Sequence, residues 1–250
     1  MNTHSRSYIQ EQLGQSPGKL TKDFAVVETI LRDRHQFFEE IREGVGVQEK
    51  TRSMVVSTAA FLAVYGAVLG STHSLLQALS SATKLPLLFL ITLAICVPAL
   101  YVLSVLFGAS QRLTQSIALV LSAITVTAVL LLSFAPITFF FMLTTSGYQF
   151  FKLLNVLFFL IAGSLGMVFL SQGVHVVSTS DKQEGAKMRR LLLYVWIVLY
   201  AFVGSQMAWT LRPFIGYPDA RFELVRELGG NFYSNILISF GEVLGFFIVR

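Results

Sequence analysis

Glu242 is the one acid inside an apolar segment of this chain, in NILISFGEVLGFFIV, and hydrocarbon is a poor place for a carboxylate. Left charged near mid-bilayer it costs about 2.5–3.5 kcal/mol on insertion scales, so an acid so placed turns to water or pairs with a donor inside the protein. Two donors stand near the same expected membrane edge: Gln206, and Arg212 shortly after Trp209 in SQMAWTLRP. Trp209 as an interfacial anchor and Arg212 snorkelling to the headgroups account for that cluster without any function. The sharper expectation buries Glu242 against Arg212 or Gln206. The plainer one leaves it in water on a surface helix.

Little else in the chain could do chemistry. His73 and His175 stand alone, without HExxH or CxxC spacing or a carboxylate at ligand distance in sequence, which argues against a metal. Cys96 is the single cysteine and falls mid-span, so neither a disulfide nor a thiolate site is available within one chain. GxSxG, Walker and dinucleotide fingerprints are missing too. Catalytic residues, cofactors and metals are therefore all expected to be none, and the chain is not expected to be an enzyme.

The elements that must position these residues are membrane helices. Of 250 residues 54% are apolar and 13% charged, with mean hydropathy +0.66, far from the roughly 25% charged of an ordinary soluble domain. The formal charge of +5 is spread through loops beside apolar stretches, not gathered on one face, so it reads as a topology signal and not as a nucleic-acid surface. The 22 Phe fall mostly within or at the ends of those stretches, as packing for lipid and neighbouring helices.

Five spans are expected, because a crossing segment must satisfy its own backbone as a helix. The first, Met54 to Gly70, ends in Gly66-Ala-Val-Leu-Gly70, a spacing that lets two helix backbones approach closely. A connector at 71–84 is too polar to span and is open to forming a short surface helix. The second, Leu85 to Phe107, carries Pro98 in its middle, where a missing N–H kinks the helix. A short GASQR link makes it an antiparallel hairpin with the third, Leu113 to Pro136. The third holds Thr114, Ser116, Ser122, Thr125, Thr127 and Ser133, hydroxyls that return bonds to their own backbone or, on a sharper reading, line a polar pathway. An aromatic turn at 137–152 leads to the fourth span, Leu153 to Val177, with Gly163 and Gly166 for close packing, and the fifth runs from Leu191 to Leu211. Asn231 to Val249, broken by Gly241, Glu242 and Gly245, is a crossing or re-entrant helix.

Ahead of the spans, an amphipathic helix is expected from Thr21 or Asp23 to Gly44 and Gly46, with Phe24, Val27, Leu31, Phe38 and Ile41 on one side. Its mixed charges favour docking on the protein's own cytoplasmic loops over lying on lipid or holding a partner. Lys50, Arg52, Arg112, Lys182, Lys187, Arg189 and Arg190 fall on one side of the spans, which places the amino terminus in the cytoplasm. Three regions follow: a cytoplasmic tail and amphipathic helix (1–50), a five-span bundle (51–211), and an excursion with a terminal membrane-associated helix (212–250). The fold class is an all-α polytopic membrane protein.

ILRDRHQFFEEIREG leading into a small-residue span that ends YGAVLG, followed by four more spans with a proline-kinked second one, resembles the Yip family of Rab-interacting membrane proteins and its bacterial relatives. The resemblance covers about 24–211 and implies a five-span helical fold with a cytosolic amino terminus and a packing site at Gly66 and Gly70. The acidic-Leu-x-Gly-Pro signature of eukaryotic members is not found, so a GTPase-linked trafficking role is not implied. The function expected is a non-enzymatic scaffold or accessory subunit of the bacterial inner membrane that packs with other membrane proteins or recruits a soluble partner. Its partners would be membrane lipids, and other membrane proteins or a homo-oligomer. The rival is a small oligomeric channel or transporter in which the third-span hydroxyls, Gln206 and Glu242 line a route.

Overall fold

A computed structural model describes residues 19–106, 113–145, 147–178, 186–216 and 231–244. Among them are eight helices and no strand: α1 (Lys19–Arg32), α2 (Arg34–Glu43), α3 (Val47–Gly70), α4 (Leu75–Leu106), α5 (Leu113–Thr144), α6 (Tyr148–Ser178), α7 (Ala186–Thr210) and α8 (Phe232–Val243). Four of these, α3 to α6, contain stretches long and apolar enough to cross a membrane. The chain is thus an all-helical membrane protein.

The amphipathic arm is two helices, not one. Asp33 leaves helical geometry at φ −134° and ψ 60°, and its carboxylate caps α2 by accepting from Gln36 N. That break resets the helical register. Ile30 and Phe37 turn inward beside Val27, Phe38 and Ile41, whereas Leu31, expected on the apolar face, is 55% exposed. Gly44, at φ 80°, closes α2 in the left-handed conformation, where Val45 N bonds Glu40 O and Gly44 N bonds Ile41 O.

The bundle packs in the order α7, α4, α3, α5, α6, with α7 also touching α6. The expected hairpin of second and third spans is corrected: α3 lies between α4 and α5 along most of their length, because its glycine face admits α4 while its other side takes α5. About two-thirds of α5's most apolar stretch is buried against 28% of α4's, which makes α5 the interior helix and α4 a lipid-facing one.

The polar connector is corrected as well. The helix begins at Leu75 and runs unbroken past Lys84, because Leu75, Leu76 and Leu79 face outward while Gln77, Ser81 and Lys84 turn inward. α4 also continues through Pro86 and Pro98, the latter on an exposed side. The aromatic turn shrinks to 145–147, since α5 extends to Thr144 and α6 starts at Tyr148. The terminal segment is described as a helix of 12 residues, capped by Asn231 and Ser234, about 18 Å long against a hydrocarbon core of about 30 Å.

Candidate functional site

Most polar groups inside the bundle are bonded within the protein, although the fully buried Thr92 hydroxyl of α4 has no hydrogen-bond partner among the described residues. On α5, Ser122, Thr125, Thr127 and Ser133 donate to Leu119 O, Leu121 O, Ala123 O and Val129 O, the back-bonding expected of hydroxyls in membrane helices. Thr125 also meets Thr58 of α3 at 2.9 Å. Toward the far end of the bundle the Tyr65 hydroxyl donates to Asn155 Oδ1 at 2.8 Å, Thr138 Oγ1 approaches the same oxygen at 3.4 Å, and Asn155 Nδ2 donates to Phe151 O.

The glycines divide. At Gly66 an added Cβ would stand 2.8 Å from the Ser81 carbonyl carbon, and at Gly70 it would stand 2.6 Å from that of Gln77, so α3 and α4 touch backbone to backbone. At Gly166 it would collide with Thr127 Oγ1 and come within 2.9 Å of Ala123 O. Gly163 is corrected: no heavy atom lies within 4 Å of where its Cβ would stand, so the neighbouring helix does not approach α6 closely at that level. Gly241 is buried in α8, and Gly245 lies outside the described residues.

Glu242 does not pair as expected. Among the described residues no ion pair joins it to Arg212; its electrostatic neighbour is Lys152 of α6, whose Nζ donates to Asn235 Oδ1 of α8 at 3.0 Å. The reason is the path of α8, which packs chiefly on α6. Arg212 instead lies over the Trp209 ring, 3.4 Å from its centroid. Gln206 contributes its carbonyl to Thr210 Oγ1. His73 follows α3 and His175 lies near the opposite end of α6, and no group of three metal-ligating side chains occurs among the described residues. Cys96 is buried, and its carbonyl accepts from Trp196 Nε1 of α7 at 3.0 Å.

At the other end the arm closes over the helix termini. Ser53 Oγ donates to Asp23 Oδ1 and Ser57 Oγ to Asp23 O, while Gln115 Nε2 donates to the Ile41 and Arg42 carbonyls at the end of α2. Phe38 stacks near Phe169 at 4.9 Å between centroids and fills the notch left by Gly173, where a Cβ would come within 2.6 Å of its ring. Docking is therefore on the membrane helices themselves, not on loops. Lys50 and Glu40 form an ion pair at 2.6 Å, and this bond, with one from Gln36, holds the Glu40 carboxyl below its usual pKa. Beside it a cavity of about 430 Å³ is lined by Glu28, Arg32, Asp33, Gln36, Glu40 and Lys50, among others.

Sequence reasoning missed Lys84 and Asn155. Lys84 was assigned to a surface connector too polar to span, and Asn155 carried no charge to mark it. Comparison with family models, curated proteins and solved structures finds no match for this chain.

Proposed function

We propose that the protein is a non-enzymatic integral membrane scaffold or accessory subunit. In this reading α7 is a fifth span, the amino-terminal arm is cytoplasmic, and the membrane is the bacterial inner membrane. The lipid-facing helices meet other membrane proteins or a second copy, and the arm presents a charged face to the cytoplasm.

The observation that carries the proposal is the use of the α5 hydroxyls. Each of Ser122, Thr125, Thr127 and Ser133 is bonded to its own helix, and Thr125 and Thr127 further reach α3 and α6. Hydroxyls engaged in that way join helices instead of replacing an ion's water shell. The resemblance to Yip proteins is compatible with this reading and is not needed for it.

Two measurements test it. Full-length protein reconstituted in sealed vesicles should leave them tight to small ions; a flux that Thr125→Val abolishes would overturn the scaffold reading in favour of a channel. Single cysteines at Ser7 and Ser180 in a Cys96→Ala background should resist a membrane-impermeant thiol reagent in intact cells. Labelling of either would reverse the proposed orientation.

A further inference from the structure

Three side chains on one stripe of α4 converge on two successive carbonyls. Gln77 Nε2 donates to Pro213 O at 2.8 Å, Lys84 Nζ donates to the same oxygen at 3.3 Å, and Ser81 Oγ donates to Phe214 O at 2.6 Å. Their spacing of four and three residues puts them on one helix face. All are buried, at 1%, 0% and 6% exposure for Gln77, Ser81 and Lys84. Lys84 lies nine residues along α4 from Leu75, about 14 Å into the bundle, deeper than a connector lysine would sit.

The segment they hold, 211–216, is not helical beyond its first turn. Leu211 N still bonds Met207 O; past it, no backbone-to-backbone bond to 212–216 occurs among the described residues. Phe214 and Ile215 pack on the core cluster that contains Leu62, Tyr65 and Leu69. Gly216 lies against His73 so closely that a Cβ would overlap the imidazole. Irregular backbone inside a membrane protein must have its carbonyls satisfied by other protein groups. Here the α4 stripe satisfies them.

We propose that residues 211–216 are a strap seated in the mouth of the bundle over the seam of α3 and α4, with Gln77, Ser81 and Lys84 as its latch. Seating bonds Pro213 O to the Lys84 ammonium and covers the other two donors. Lifting the strap removes that acceptor and uncovers the stripe, so the state of the mouth is set by side-chain bonds and not by secondary structure.

The test reads strap exposure in the full-length protein in mild detergent, as the rate at which Ile215→Cys, in a Cys96→Ala background, reacts with a polar maleimide. Lys84→Met should raise that rate about tenfold or more and Ser81→Ala about fivefold, as expected for loss of a charged and a neutral bond. A control cysteine at Ala162, fully buried in α6, should stay unreactive throughout. Rates within about twofold of the parent in both variants would overturn the latch. Equal acceleration at the Ala162 control would overturn it too, since the whole bundle would then have loosened. If Lys84→Met does not fold, Ser81→Ala decides alone: a faster rate supports the latch and an unchanged rate refutes it.

Discussion

Tyr65 and Asn155 form a buried hydroxyl-to-amide bond, 2.8 Å long, between α3 and α6, two helices that otherwise meet mainly through α5. Thr138 of α5 approaches the same amide oxygen, so three helices share one acceptor. Removing the Tyr65 hydroxyl should lower stability in detergent by about 1 kcal/mol, and Asn155→Leu by more, because it strands two hydroxyls at once. The two changes should be non-additive in a double-mutant cycle read by thermal or denaturant unfolding. Additive effects would separate Tyr65 from Asn155.

The glycine seam gives a paired prediction. Gly66→Ala drives a methyl group into the backbone of Ser81 and should cost about 1–3 kcal/mol, with Gly66→Leu worse. Gly163→Ala meets open space and should be neutral, or stabilising by up to about 1 kcal/mol from helix propensity. Melting temperatures of the two alanine variants in one detergent compare them directly. A loss at Gly66 no larger than that at Gly163 would mean that Gly66 is not at a close helix contact.

The arm should respond to acid through Glu40. Its carboxyl is lowered from 4.5 in the folded state by Lys50 and Gln36, so it contributes stability that is complete above 4.5 and is lost as pH falls through the lower folded value. Glu40→Gln should therefore destabilise the protein by about 1 kcal/mol at pH 7, and the gap to the parent should narrow as pH falls below 4.5. Unfolding curves at the two pH values settle it. A gap that widens in acid would contradict the ion pair as the cause.

At the carboxy-terminal helix the relevant pair is Glu242 with Lys152. Glu242→Gln and Lys152→Met should couple by about 0.5 kcal/mol or more, whereas Glu242→Gln and Arg212→Gln should add within about 0.5 kcal/mol. The reverse pattern, with coupling to Arg212 and none to Lys152, would restore the pairing expected from sequence.

Much of the helical architecture is legible in the sequence because hydrophobic length and hydroxyl chemistry are local properties. The stretch from Leu113 reads as a helix, and its serines and threonines bond where a helix alone would send them. The rest depends on relations between distant segments. A hydropathy average over 71–84 cannot separate Leu75, Leu76 and Leu79 on the lipid side from Gln77, Ser81 and Lys84 on the inner side, so the first turns of a membrane helix read as a separate surface connector. The break at Asp33 is equally hidden, since a single cap changes the facing of every later residue without altering composition. Glu242 was matched to Arg212 by expected depth alone, and depth says nothing about which helix α8 packs on.

Placing α3 between α4 and α5 has a consequence for biogenesis. Helices leaving the ribosome in order can pair off as α3 with α4 and α5 with α6, but α5 must also find the flank of a helix inserted two segments earlier. The arm waits longer still. Phe38 rests on Phe169 and beside Gly173, and at ordinary translation speeds those residues are made on the order of ten seconds after it. The part of the chain synthesised early is thus among the last to reach its place, and until α6 arrives the apolar side of α2 stands uncovered, a natural point for a chaperone or insertase to hold the nascent protein.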